Sequence, residues 1–318
     1  MTTKTYAPGV HTGVNFDDYL AIDAVNASLL KQYDESPAHA LAYMNKVDTE
    51  EKEHFTFGSF LHSFILEPDT VGELYGTNKP KVNRASKAGM EKLVDWLEIE
   101  VYGEVSLELR QEIRRGLAGP DASMGVLKTY ADELTAKLTK KYITGEEYEA
   151  AKIMAANVNA TRFGDLLKHE YDTELTVIAE VNGVLCKIRV DFYSHLGCLV
   201  DLKSTRKSCK KSAFEREYAM LKYDIQAGLY ASVAKAAGLH ADVFAFVPVM
   251  KDAPNLASFL AVEDLEMLEA YVSDLIGKFA KSKADNSWPG YYESSESLFL
   301  PAWRRDQIIK SIGEDYEQ

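Results

Sequence analysis

The residues best suited to chemistry lie together in the stretch Arg189-Val-Asp-Phe-Tyr-Ser-His-Leu-Gly-Cys-Leu-Val-Asp-Leu-Lys203. Asp191 is followed by a turn and then by Asp201-Leu-Lys203, so the segment reads as two short strands. Strand side chains alternate between faces, which groups Leu199, Asp201 and Lys203 on one side and Val200 and Leu202 on the other. The same alternation groups Lys187, Arg189 and Asp191 and leaves Ile188, Val190 and Phe192 to pack inward. Two carboxylates and a lysine then converge at one end of a sheet. That arrangement suits a hard divalent cation held by oxygen ligands, with an ammonium beside it to orient water or steady charge on a phosphate. Taken alone, an Asp-x-Lys triplet recurs by chance and is better explained as an ion pair on an exposed strand.

Composition narrows the setting. The chain has 318 residues, 46% hydrophobic and 27% charged, ordinary values for a globular protein with a sizeable core. No apolar run approaches the roughly 20 residues needed to cross a bilayer, and Met-Thr-Thr-Lys-Thr-Tyr at the N-terminus is no secretory signal, so a cytoplasmic protein without membrane contact is expected. Cys186, Cys198 and Cys209 are too few and too scattered for a disulfide framework or a zinc or iron–sulfur set. The formal charge of −13 argues against generic nucleic-acid coating, because phosphate contacts need cations. Basic residues are nevertheless concentrated locally, at Lys203, Arg206, Lys207, Lys210, Lys211, Arg216 and Lys222, and again at Lys79, Lys81, Arg84 and Lys87.

Several elements must hold these groups. Residues 1–20 read as irregular. Asn26 or Ser28 caps a helix over 29–33, and Ser36-Pro37 opens another through Met44. A third begins near Thr56 or Ser59, carries the stripe Phe57, Phe60, Leu61, Phe64 and Ile65, and stops at Glu67-Pro68. His62 sits within it and by itself reads as a core histidine; Gly58, four residues earlier, would allow another backbone to approach. Residues 70–150 show helical patches over 87–100, 107–115 and 126–141. Thr144 and Glu147 fit a capping box for a helix reaching about 167. The strand at 174–181 offers Glu174 and Glu180, either of which can complete a metal site. One long helix is expected from 212 to 237, ended by Gly238, with Gln226 and Tyr230 one turn apart on one face. An apolar strand at 243–249 and an amphipathic helix at 263–283 follow.

In this order Gly58-x3-His62, a glutamate near 174–180, Asp191, Asp201-Leu-Lys203 and Gln226-x3-Tyr230 resemble the PD-(D/E)xK nuclease superfamily. Within it the chain resembles the RecB-like branch, and most of all the C-terminal nuclease domain of RecE-type exonucleases (exonuclease VIII). Asn26-Ala-Ser-Leu-Leu, Ser36-Pro-Ala-His, Leu66-Glu-Pro68 and the segment Tyr223-Asp-Ile-Gln-Ala-Gly-Leu-Tyr230 are similar to landmarks of those domains. The resemblance covers nearly the whole chain and is loosest over 70–140. It implies an α/β fold, with a restriction-endonuclease-like core of a mixed sheet flanked by helices and an N-terminal helical embellishment. A single elaborated domain over 1–318 follows, with 1–140 carrying His62 and 141–318 forming the catalytic core.

By the same resemblance His62, Asp191, Asp201 and the backbone carbonyl of Leu202 are metal ligands, joined by Glu174 or Glu180. Lys203 handles the attacking water or the phosphate, and Gln226 and Tyr230 touch the DNA backbone or brace the catalytic strand. Arg206, Lys207, Lys210, Lys211 and Arg189 are candidate DNA contacts. The implied activity is Mg²⁺-dependent removal of one strand of linear duplex DNA, 5′→3′ and processive, with Mn²⁺ as a possible substitute. Implied partners are linear double-stranded DNA, a single-strand annealing protein of the RecT type and further copies of the chain in a tetrameric ring, in a bacterial or phage-infected cell. Two alternatives stand beside it: from a different class, a nuclease-fold DNA-binding or assembly module without turnover, and within the same superfamily an iron–sulfur CRISPR-associated or AddB-like nuclease, for which the cysteines are too few.

Overall fold

The computed structural model describes residues 6–45, 53–103, 123–291 and 297–312, with single positions 108, 111, 112 and 115. The helical patch expected over 107–115 therefore lies largely outside the described residues. In chain order the first elements are β1 (Gly9–His11), α1 (Phe16–Ala21), α2 (Ala27–Glu35), α3 (Pro37–Met44), α4 (Glu53–Leu66), α5 (Val71–Leu74), β2 (Tyr75–Lys79) and α6 (Lys87–Tyr102). Then come α7 (Met124–Thr135), β3 (Lys141–Thr144), α8 (Gly145–Asn159), α9 (Arg162–Leu166), β4 (Tyr171–Val181), β5 (Val184–Ser194) and β6 (Cys198–Thr205). The chain continues with α10 (Lys211–Met220), α11 (Tyr223–Ala236), β7 (Val243–Met250), β8 (Leu260–Ala261), α12 (Leu265–Ala284) and α13 (Ala302–Ile312).

One sheet takes the order β1-β4-β5-β6-β7-β8. Only β6 and β7 run parallel; the other neighbours are antiparallel. Tight turns join β4 to β5 and β5 to β6, whereas α10 and α11 return the chain from the end of β6 to the start of β7, as a parallel pair requires. Helices cover both faces. On one, α2, α11 and α12 pack on Leu175, Val177, Ile188, Val190 and Leu199. On the other, α4, α8 and α9 pack on Phe192, Val200, Leu202 and Val247. This is the α/β architecture, a mixed sheet between helices, that the motif order implies.

Local chemistry explains most of the helix starts. Asn26 Oδ1 accepts from the Leu29 N–H at 2.9 Å, Ser36 Oγ accepts from the His39 N–H at 3.3 Å, and Thr144 and Glu147 form the reciprocal capping box. Gly228 is where α11 crosses α12, and a Cβ there would lie 2.5 Å from the Leu268 carbonyl oxygen. Only glycine admits that approach.

Five expectations need correction. The long helix over 212–237 is two helices, because Lys222 adopts a left-handed conformation (φ 51°) between α10 and α11. The helix from Thr144 ends at Asn159, and a separate short helix, capped by Thr161, follows. Phe192 packs on the face opposite Ile188 and Val190. The β4–β5 pairing explains the switch: pairs flank Glu174 on either side, Thr173 with Phe192 and Leu175 with Val190, while Glu174 itself is left-handed (φ 49°). Residues 1–20 are not wholly irregular, since β1 pairs with β4 and Asn15 caps α1. Gly58 admits no close backbone: a Cβ there would meet Ser204 Oγ at 3.6 Å, an ordinary contact.

Residues 70–150 also contain two strands that periodicity did not announce, β2 and β3, which pair in parallel. The helices α6 and α7 enclose a core of their own from Met90, Leu93, Val94, Leu97, Leu127, Tyr130 and Leu134. At the other edge of the molecule, β5 anchors the N-terminal segment. The Lys187 ammonium donates to the carbonyls of Tyr19, Leu20 and Ile22 at 2.7, 3.0 and 2.7 Å, and burial pushes its pKa down to about 8.

Candidate active site

Strands β5 and β6 are paired over three residues only, Phe192 with Val200, Tyr193 with Leu199 and Ser194 with Cys198. Extending that register by one step sets Asp191 opposite Asp201 at the point where the strands part. There the side chain of Asp191 takes over from the ladder, its Oδ2 accepting the Leu202 N–H at 2.8 Å. Two carboxylates are thus fixed at a fork in the sheet, flanked by a helical layer on either side.

From one layer α4 delivers His62, whose Nδ1 lies 3.5 Å from Asp191 Oδ2. Glu174 arrives from β4, and ligand atoms of His62, Glu174 and Asp191 all lie within 4.8 Å of one another. Its left-handed backbone and an ion pair to Arg189 Nε at 2.5 Å set its direction. Glu180 stands at the far end of the same strand, paired with Leu185 and exposed. Of the two glutamates, the geometry brings Glu174 to the site.

From the other layer α11 delivers Gln226, whose Nε2 donates to Asp201 Oδ1. Lys203 Nζ forms an ion pair with Asp201 Oδ2 at 2.6 Å, and that buried oxygen has no hydrogen-bond partner among the described residues. Tyr230, one turn beyond, meets Phe244 edge-on at 5.8 Å. Gln226 thus braces the strand that carries Asp201, and Tyr230 packs against β7. Lys203 is further held over the Tyr223 ring, 4.9 Å from its centroid.

The electrostatics match the donor set. Burial pushes His62 below the usual imidazole range despite the negative charges of Asp201 and Glu174 nearby, keeping the ring neutral as a metal ligand must be. Burial, then the charges of Asp201 and Glu174, hold the Asp191 carboxyl well above the usual carboxylate range. Burial works against the Lys203 ammonium, yet Asp201 and Asp191 outweigh it and raise its pKa. A histidine nitrogen and two carboxylates crowded in this way fit a divalent cation, which would relieve the repulsion. The Leu202 carbonyl also lies near His62 and opposes the effect of burial on the ring.

The family model described as a PDDEXK-like domain of unknown function (DUF3799) matches residues 26–300. The chain belongs to that family. The match places this PDDEXK-like domain with the nuclease-type folds that the order of motifs resembles, and it includes every residue of the fork. Among solved structures, the chain is similar to a "Putative exonuclease" from Eubacterium rectale, at 14% identity and a TM-score of 0.49, over 93% of this chain and 98% of that one. No curated protein matches the sequence.

The basic residues of this PDDEXK-like domain divide into two groups. Arg206, Lys207, Lys210 and Lys211 are exposed on the segment leaving the catalytic strand β6. Arg189 is turned inward, with Nε on Glu174 and Nη1 on the Val14 carbonyl at 2.7 Å, and so supports Glu174. Among the described residues no helix is long and apolar enough to cross a membrane. Sequence reasoning passed over Lys31 of α2, whose Nζ lies 4.8 Å from the Tyr223 centroid. Its only signal was a cation inside a capped helix beside the Ser36-Pro37 landmark.

Proposed function

We propose that this protein is a Mg²⁺-dependent exodeoxyribonuclease that degrades one strand of linear double-stranded DNA, with 5′→3′ polarity. The observation that carries the reading is the fork itself: Lys203 against Asp201 at 2.6 Å, beside the cluster of His62, Glu174 and Asp191. His62, Glu174, Asp191 and Asp201 would hold the metal, with the Leu202 carbonyl as a further oxygen ligand. When bound, Mg²⁺ supplies a Lewis acid that polarises the phosphate and lowers the pKa of water. Mn²⁺ offers the same chemistry to the same oxygens.

The protein's own groups supply orientation and charge. Lys203 is kept cationic by Asp201 and Asp191 and is placed to hydrogen-bond an attacking water or a phosphate oxygen. Gln226 fixes the rotamer of Asp201, leaving Oδ2 turned to Lys203. The exposed Arg206, Lys207, Lys210 and Lys211 offer phosphate contacts along the approach to the fork. A role in recombination by single-strand annealing, a RecT-type partner, a tetrameric ring, a bacterial or phage-infected cytoplasm and one elaborated domain over 1–318 complete the proposal. They are supported by the sequence resemblance to RecE-type domains.

End-labelled linear duplex and covalently closed circular duplex, each with and without Mg²⁺, test it. Digestion of the linear substrate alone, only with metal, is expected. Equal digestion of the circle would replace exonuclease by endonuclease, and digestion in EDTA would remove the metal mechanism.

A further inference from the structure

Lys31 and Lys203 share one aromatic ring. Their Nζ atoms lie 4.8 and 4.9 Å from the Tyr223 centroid, which bounds the separation of the two ammonium groups at 9.7 Å. The ring is fixed by stacking on Phe246 at 5.2 Å and Phe214 at 6.0 Å. The backbone carrying Lys31 is fixed as well. Lys222, at the left-handed break before α11, donates to the Lys31 carbonyl at 3.4 Å and pairs with Asp34 at 2.6 Å and Glu35 at 3.1 Å. These contacts lock α2 against the start of α11.

The two lysines differ in compensation. Lys203 has Asp201 at 2.6 Å, whereas among the described residues no carboxylate lies within ion-pair distance of Lys31. Burial, and then the charge of Lys203, push Lys31 down to about 8, opposed by the more distant Asp201 and Asp224. At neutral pH it is still mostly a cation, partly dehydrated and without a counter-ion in contact. A partly buried charge of this kind gains from an anionic ligand.

We propose that Lys31 is a second phosphate-binding cation of the site, taking a non-bridging oxygen of the phosphate next to the scissile one while Lys203 remains with Asp201. A DNA strand presents a charge about every 3.4 Å along the helix axis, so a cation displaced from the reacting centre by no more than the width of this aromatic clamp meets a neighbouring phosphate. The inference rests on the nuclease reading above.

The test uses the full chain as wild type and as the Lys31→Ala, Lys31→Gln and Lys31→Arg variants, with linear duplex in Ca²⁺ across a salt series. Loss of one phosphate contact lowers the slope of log affinity against log salt by about 1 in the Ala and Gln variants and weakens binding roughly tenfold at low salt. Lys31→Arg is expected to restore the slope, and KM for linear duplex in Mg²⁺ should rise in the Ala and Gln variants alone. An unchanged slope in both neutral variants, with melting temperatures equal to wild type, overturns the inference. So does a fall in kcat with an unchanged slope, which would mean that Lys31 acts through Tyr223. Failure of the nuclease reading is seen separately, as absence of cleavage by the wild type, since the slopes are measured without turnover.

Discussion

At the fork between β5 and β6, side chains that would each be costly to bury are set against one another: Asp201 accepts from Gln226 and is ion-paired with Lys203, and Asp191 accepts the Leu202 N–H. In the pair α6 and α7, Leu93, Val94, Leu97, Leu127 and Leu134 close a core beside a buried acid, Glu98, which accepts from the Tyr130 hydroxyl at 3.2 Å. Both regions are tightly packed, but they differ in what a substitution does. Truncating an apolar side chain removes packing and leaves a cavity. Removing one member of a polar cluster leaves the others charged, dehydrated and misdirected. The first region sets whether the chain folds, and the second sets what the folded chain does.

The largest test of that contrast is Lys203→Ala. Cleavage of linear duplex should fall about a thousandfold, within the range that positioned proton-transfer groups contribute, while binding of duplex ends in Ca²⁺ is retained. Cleavage within tenfold of wild type would detach Lys203 from the chemistry. Next comes Gln226→Leu, which keeps the volume but takes the donor from Asp201 Oδ1. Metal affinity should weaken by about ten- to a hundredfold, read as a shift in the Mg²⁺ concentration giving half-maximal cleavage, as for other groups that orient a ligand. A shift smaller than threefold would reduce Gln226 to a packing residue. The smallest effect on activity is expected from Leu134→Ala in α7. Stability should drop by about 2–5 kcal/mol in urea melts, with the cleavage rate of the folded enzyme unchanged. A loss of rate matching that of Lys203→Ala would merge the two regions into one functional unit.

The same contrast explains what the sequence made visible. Alternation along 189–203 was enough to group Asp191, Asp201 and Lys203, because strand periodicity is short and independent of partners. It could not separate Glu174 from Glu180, since the deciding feature is a left-handed residue in mid-strand that no glycine or asparagine announces. Nor did it show the break at Lys222, where the compensating contacts, Asp34 and Glu35, come from the other end of the chain. The bonds of Arg189 were hidden too, because its strand position says nothing about Val14, whose carbonyl it meets. Lys31 was hidden for a related reason: it reaches the site across a tyrosine supplied by a different helix. Strands β2 and β3 escaped notice as short segments that pair only with each other.

The turn between β5 and β6 sets a measure along the chain. Ser194 and Cys198 are the last pair before it, and Asp191 and Asp201 each lie three residues back from that pair. Residues added within the loop move neither arm, whereas a single residue added to one arm slides an apolar neighbour into the place of a carboxylate. Among distant relatives, then, the spacing from each aspartate to the closing pair should be rigid while the loop length drifts. The interval from His62 is under no such constraint, because that side chain arrives from a separate helix.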